Sequence, residues 1–242
     1  MKRLINILDE RGFIYDKTSK LLEVEGPLKV YLGFDPTGDA LHVGHLLGIL
    51  SLKWFQNFSC EIIALIGGAT GMIGDPSGKN KERTLMETAI LQNNVRSLSS
   101  SINNLLGNTV EIVNNYDWFS KFSWIEFLRD VGKYFRVGSM IAKESVKQRL
   151  QSEEGISFTE FSYQLLQAYD FLHLFESNGV SLQLGGSDQW GNITSGIDLI
   201  RKRKEQDVHG LTFPLLVDSE GKKMGKTEEG TAVWLDERKT SV

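Results

Sequence analysis

The sequence predicts an α/β protein built on an open parallel sheet, and three stretches carry that prediction. An apolar, β-branched run, Leu28 to Phe34, passes through Pro36 to His45 into the helical spacing of Leu46, Leu47, Ile49, Leu50, Trp54 and Phe55. A nearly continuous apolar run, Glu61 to Ile66, leads straight into a glycine-rich loop. A third run, Val180 to Leu184, ends in Gly185-Gly186 and then a further helical stretch. Strands apolar throughout, each feeding a helix, suit a parallel sheet covered on both faces.

Composition narrows the classes. The 242 residues are 40% hydrophobic and 24% charged, with a formal net charge of −4. That is an ordinary balance for a globular chain with a real core. It offers no global nucleic-acid signal, so any RNA contact must come from a local patch. The single cysteine, Cys60, leaves no internal disulfide and fits a reducing, cytoplasmic compartment. Leu4 to Leu8 is too short and too soon followed by Asp9-Glu10-Arg11 to be a leader, and reads as a surface helix. No run approaches the roughly 20 apolar residues of a membrane span.

The elements follow in order. Residues 2–11 have amphipathic helical spacing, broken by Gly12 and the polar Asp16-Lys17-Thr18-Ser19. Pro27 marks entry to the strand 28–34, and the helix after the opening turn covers 45–58. After strand 61–66, Thr84 with Glu87 has capping-box spacing for a long helix carrying Ile90, Leu91, Val95, Leu98, Ile102, Leu105 and Leu106, which Gly107-Asn108 ends. A strand over 110–113 and a turn over 114–117 come next. Residues 118–150 read as helical and rich in aromatic side chains, a core surface with some of it available to a second subunit. A helix opening at Phe158 places Tyr163, Gln167 and Asp170 on one face by their spacing, within an apolar pattern that buries much of its circumference. After strand 180–184, helix 193–204 ends in Arg201-Lys202-Arg203-Lys204, a basic run that either complements its own dipole or offers a patch to RNA, the first reading being favoured.

Three loops hold the candidate chemistry. In Pro36-Thr37-Gly38-Asp39-Ala40-Leu41-His42-Val43-Gly44-His45, two histidines and a glycine sit where a strand becomes a helix. Free backbone N–H groups and the helix dipole should favour phosphate there. The loop Gly67 to Lys79 fails both the Walker and the dinucleotide glycine patterns, so by itself it is a close-packed turn at a sheet edge. Ser219 to Thr227 by itself is a solvated basic turn.

Taken together these pieces are specific. The Pro-Thr…His-x-Gly-His turn and the later Lys223-Met224-Gly225-Lys226-Thr227 resemble the paired signature of class I aminoacyl-tRNA synthetases, the second a variant of Lys-Met-Ser-Lys-Ser. Tyr31 to Thr37, Gly67 to Gly78, Phe161 to Asp170 and Gly185 to Asn192 extend the likeness along the chain to the bacterial-type tyrosyl-tRNA synthetases. The resemblance implies a Rossmann-like, doubly wound parallel sheet with a helical connective insertion at about 118–150. It implies one catalytic domain over 1–242, with a mobile loop at 221–230. Its C-terminal anticodon-binding region is expected to be absent, leaving a fragment that activates tyrosine and charges transfer RNA poorly.

The implied reaction joins L-tyrosine to ATP as tyrosyl-adenylate, then transfers the aminoacyl group to the 3′ end of tRNA(Tyr). The substrate carboxylate is the nucleophile and pyrophosphate the leaving group, so positioning and charge stabilisation must supply the catalysis. By resemblance, Thr37 and His42 meet the γ-phosphate and His45 lies near the adenosine. Lys79, Arg83, Lys223, Lys226 and Thr227 close over the pyrophosphate. Tyr31 and Asp170 take the phenol oxygen, and Asp75, Tyr163 and Gln167 the ammonium. Gln189 lies near the carboxylate. Gly33, Asp35, Gly44, Gly186 and Asp188 complete the ATP and ribose site. Without a substrate hydroxyl Asp170 should be left unpaired, which makes phenylalanine a poor substrate. Mg²⁺ should arrive with ATP, held by phosphate and water, with no protein-bound metal or prosthetic group. A homodimer formed through the insertion is the implied assembly.

Leu32 stands where related enzymes can carry a cysteine that touches the ribose, a contact leucine cannot make. A tryptophanyl-tRNA synthetase shares both motifs, but an indole has no oxygen to meet Tyr31 and Asp170. A small nucleotidylyltransferase shares the His-x-Gly-His turn without needing the 163–170 face. A non-catalytic RNA-binding paralogue would usually have lost lysines or histidines that are all present here.

Overall fold

The computed structural model describes residues 1–77, 86–107, 109–219, 224 and 232–240. Helix α1 (Lys2–Glu10) and a two-residue edge strand, β1 (Asp16–Lys17), precede the first strand-to-helix unit, β2 (Lys29–Phe34) and α2 (Val43–Asn57). Then come β3 (Glu61–Ile66), the single turn α3 (Thr70–Ile73), the long α4 (Thr88–Leu106) and β4 (Glu111–Asn114). The aromatic region holds α5 (Tyr116–Phe119), α6 (Trp124–Asp130), α7 (Val137–Ile141) and α8 (Glu144–Leu150). Helix α9 (Phe158–Asn178), β5 (Leu182–Gly186), α10 (Trp190–Lys204) and β6 (His209–Phe213) complete the sheet.

The strand order is β1-β6-β5-β2-β3-β4, parallel except at β1. Alternate residues of each strand feed two separate cores, which is what doubly wound means in side chains. Val30, Leu32, Phe34, Ile62, Ala64, Leu182 and Leu184 pack beneath α1, α2 and α4. Tyr31, Ile63 and Leu65 face the other way, under α9, α10 and the aromatic helices. Strand order reverses between β2 and β5, so the crevice at their carboxyl ends is where this architecture binds ligands.

Several elements differ from the sequence reading. Strand β6 was not expected, because His209-Gly210-Leu211-Thr212-Phe213 has neither alternation nor a continuous apolar run, yet all five residues are buried. Edge strand β1 lies in a stretch read as a break; its partner is β6, so its sequence context could not reveal it. Residues 118–150, read only as helical, divide into short helices because Ser123 and Glu126 cap α6 afresh and Arg136 is extended. Helix α4 is described from Thr88, and Thr84 lies outside the described residues. The turn expected over 114–117 instead divides between the end of β4 and the start of α5.

One buried ion pair fixes the aromatic helices to α9. Arg149 donates to both carboxylate oxygens of Glu160 at 2.9 and 2.7 Å and also to the Gly155 carbonyl, with both side chains at most 3% exposed. Replacing Arg149 with methionine should cost about 3–5 kcal/mol, because a buried carboxylate loses its counter-charge. The paired change Arg149→Met, Glu160→Leu should cost much less, and denaturant unfolding of the three variants against the parent measures both.

Candidate active site

The first histidine turn is built as a helix cap. His42 is extended and caps α2, with its Nδ1 accepting from the Gly44 N–H at 3.1 Å. His45 Nδ1 in turn accepts from the His42 N–H at 3.0 Å. Each ring therefore carries its proton on Nε2 when neutral, and the rings stack with centroids 3.8 Å apart. This corrects the expectation of free backbone donors. The Val43 N–H goes to the Val233 carbonyl, and the His45 N–H to the His42 carbonyl. The sequence spacing could not show that the chain caps this helix itself. Gly44 is needed sterically, since a Cβ would stand 2.8 Å from the Met224 carbonyl and 2.9 Å from the His42 ring. The two signature segments therefore meet at Met224.

The second group runs across the crevice as one hydrogen-bonded chain. Asp35 accepts from the Tyr163 hydroxyl at 2.9 Å and the Thr70 hydroxyl at 2.8 Å. Asn115 donates to the Thr70 oxygen at 3.0 Å and to Asp170 at 3.0 Å. The Trp118 indole donates to the other Asp170 oxygen at 2.9 Å. Burial drives the Asp170 carboxyl well above the usual carboxylate range, against the pull of Asn115 and Trp118 and helped by the Asp35 charge. Gly67 permits the Asp35–Thr70 approach, because a Cβ there would lie 2.1 Å from Asp35 Oδ1.

Beside this chain stands the Tyr31 hydroxyl, on a side chain only 1% exposed and without a hydrogen-bond partner. Its ring packs on Phe171 at 5.4 Å. Burial first, and then the Asp170 charge, push its ionisation well above the ordinary phenol value, so it remains a donor. Gln183, in register with Tyr31 on the neighbouring strand, also has a buried amide oxygen without a partner. Buried polar groups are normally paired, so this pair marks a place for a polar ligand group.

A third cluster joins the glycine-rich loop to the start of α10. Gln189 donates to Asp75 at 2.6 Å, the Ser77 N–H donates to the other Asp75 oxygen, and Asn192 donates to Gln189. Gln167 lies half-buried on α9 with Tyr163 and Asp170, and Gly186 and Asp188 are half-buried at the end of β5. Gly33 is exposed within β2, opening the sheet at the crevice, and Thr37 donates its N–H to the Asp35 carbonyl. Lys79, Arg83, Lys223, Lys226 and Thr227 lie outside the described residues.

A family model described as tRNA synthetases class I (W and Y) matches residues 23–242. The chain belongs to this class I family. It is 54% identical to a tyrosine–tRNA ligase of Protochlamydia amoebophila, over all of this chain and 58% of that protein. A chloroplastic/mitochondrial tyrosine–tRNA ligase of Arabidopsis thaliana is 51% identical over 96% of this chain and 48% of its own length. A crystal structure of a C-terminally truncated Aspergillus nidulans mitochondrial tyrosyl-tRNA synthetase superposes with a TM-score of 0.84 at 33% identity, covering 98% of this chain and 73% of that one. The chain thus spans about half the length of the curated relatives it matches.

Within this class I site, the structure joins His42 to His45, Asp35 to Tyr163 and Asp75 to Gln189. It corrects one expectation: Asp170 already holds two protein donors, so loss of a ligand hydroxyl does not leave it bare. Leu32 faces the α2 core, away from Tyr31. Thr70, Asn115, Trp118 and Gln183 were not identified from sequence. Asn115 did carry a signal, a polar residue directly after a strand at the sheet's carboxyl edge. Trp118 carried another, an indole N–H in an otherwise apolar setting that needs an acceptor. Among the described residues no group of three His, Cys, Asp or Glu is arranged to hold a metal.

Proposed function

We propose that this chain is the activating part of a tyrosine–tRNA ligase, converting L-tyrosine and MgATP to tyrosyl-adenylate and pyrophosphate before transfer to the 3′ end of tRNA(Tyr). One observation carries the choice of amino acid: a buried, unpartnered Tyr31 hydroxyl feels the charge of a carboxylate already steadied by two donors. A phenol fits both, accepting from Tyr31 and donating to Asp170. The names of the relatives support the same reading.

In this reading the amino acid lies across the crevice. Asp75, Tyr163 and Gln167 hold the ammonium, Gln189 lies by the carboxylate, and Thr70 and Asn115 brace the acids on either side. Thr37 and the Nε2–H of His42 meet the γ-phosphate, and His45 the adenosine. Gly33, Gly44, Gly186 and Asp188 line the nucleotide. Asp35, expected at the ribose, has both carboxylate oxygens engaged by Tyr163 and Thr70, which favours a place at the ammonium end. Lys79, Arg83, Lys223, Lys226 and Thr227 supply cations for the departing pyrophosphate. No side chain need act as acid, base or nucleophile; preorganised donors stabilise charge as it develops.

The proposal includes a cytoplasmic homodimer. Trp124, Ile125, Val137, Ile141 and Phe158, on or beside the aromatic helices, are all more than 40% exposed, which suits a second copy of the chain.

Amino-acid-dependent ATP–pyrophosphate exchange tests the activation step. Tyrosine should support it, and phenylalanine should be worse by roughly 30- to 1000-fold, the equivalent of about 2–4 kcal/mol for one missing donor and one hydroxyl still unpaired. Tryptophan should be inactive. A tryptophan signal exceeding that of tyrosine would hand the site to the other branch of the family.

A further inference from the structure

The segment after the late basic motif is not a loose tail. Residues 233–235 run antiparallel to 41–43: Val43 donates to the Val233 carbonyl at 2.8 Å, and Leu235 donates to the Leu41 carbonyl at 2.8 Å. Between them the Trp234 ring stands edge-on to His42, with centroids 6.2 Å apart. Its far edge lies against Gly38, at 3.5 Å from where a Cβ would be. Lys239 sits 5.2 Å over the same ring and pairs with both oxygens of Asp39 at 2.8 and 2.9 Å. Thr240 accepts from the Trp234 N–H, closing the segment on itself.

These contacts share one target. Gly38, Asp39, Leu41, His42 and Val43 all belong to the turn whose Thr37 and His42 are assigned to the phosphates above. The inner side of that turn is held by its own imidazole cap. Residues 233–239 add a second hold on it, through Gly38, Asp39, Leu41, His42 and Val43. We propose that Trp234 is a positioning residue for His42, and that 233–239 form a clasp keeping the Thr37–His42 turn in the geometry that meets the leaving phosphates. The inference rests on the activation reading above. The physical argument is that a ring wedged between Gly38 and His42 restricts both the turn and the imidazole plane. The β-bridge meanwhile engages Val43, whose N–H would otherwise fray with the first turn of α2.

Two readouts test it, one independent of activity. In Trp234→Ala, amide hydrogen exchange at Val43 should quicken by at least about tenfold relative to the amides of β3. The kcat of tyrosine-dependent pyrophosphate exchange should fall by about tenfold, with the KM for tyrosine within about twofold of the parent. Trp234→Phe keeps an aromatic wedge and should retain kcat within about threefold of the parent. Lys239→Met, at an exposed surface position, should give intermediate values in both readouts, and serves if the alanine variant does not fold. Unchanged Val43 protection, or unchanged kcat despite lost protection, overturns the proposal. So does a parallel fall in tyrosine affinity. A parent chain with no exchange activity would fail the activation reading, while Val43 protection would still decide the clasp.

Discussion

Asp170→Asn should lose about two to four orders of magnitude in kcat/KM for tyrosine, measured by pyrophosphate exchange. The substitution keeps volume and changes only chemistry. A carboxylate presents acceptors alone, and here it accepts from Asn115 and Trp118 while retaining lone pairs for a ligand hydroxyl. An amide puts its NH₂ against one of those donors and offers the phenol a neutral partner. Losing a charge-assisted hydrogen bond costs about 1.5–3 kcal/mol, and an opposed donor pair about 1–3 more. The fold should respond through its pH dependence. Burial raises the Asp170 pKa well above its ordinary value, so the native state holds that proton more tightly than the unfolded chain does. Stability therefore falls as pH rises from the ordinary carboxylate range through the raised value, and is level above it. Asp170→Asn should remove that component of the pH profile, while the donor it opposes inside the fold lowers Tm at every pH. A variant as active as the parent would remove Asp170 from tyrosine recognition altogether.

The second large effect concerns the cap. His42→Ala should slow adenylate formation by about a hundredfold or more, in the range seen when one preorganised donor to a developing charge is removed. Tyrosine KM should hardly move, because the phenol and ammonium contacts lie elsewhere. In this reading His42 has two jobs, however: Nδ1 caps α2, while Nε2 serves the phosphate. Alanine removes both, adding a stability loss of about 0.5–2 kcal/mol. His42→Asn separates them, since asparagine caps well and has no ring N–H in that position. We expect normal stability with the slow rate in His42→Asn, by thermal unfolding and single-turnover kinetics. A rise in tyrosine KM alone, with the rate intact, would remove His42 from the phosphates.

How much of this was readable depends on where each residue's partners lie. Strands β2 and β3 announced themselves because their apolar runs are local, and the 36–45 turn because two histidines and a glycine stand between a strand pattern and a helix pattern. Helix α9 placed Tyr163, Gln167 and Asp170 on one face by spacing alone, and the structure puts Tyr163 and Asp170 in the crevice. Partners distant in the chain left no such trace. Strand β6 is apolar only by virtue of what covers it. Thr70, Asn115 and Trp118 acquire their roles only when β3, β4 and α9 come together. The capping of α2 by Val233 is likewise invisible to any window of sequence. Doubly wound alternation was inferable from resemblance, whereas the two cores that realise it are a property of the packed sheet.

The strand order has a consequence for synthesis. Strand β2 carries Tyr31 and lies between β3, which follows it closely, and β5, which begins only at Leu182. While the chain is being made, one edge of β2 has its neighbour and the other waits on the order of ten seconds for β5 to emerge at ordinary translation rates. The exposed edge is Val-Tyr-Leu, an apolar strand lacking its hydrogen-bond partners, the kind of surface that recruits other chains. β1 waits longer still, since it pairs only with β6. The pocket that reads the amino acid is thus among the last parts to close, and aggregation of nascent chains should be most acute before residue 186 has left the ribosome.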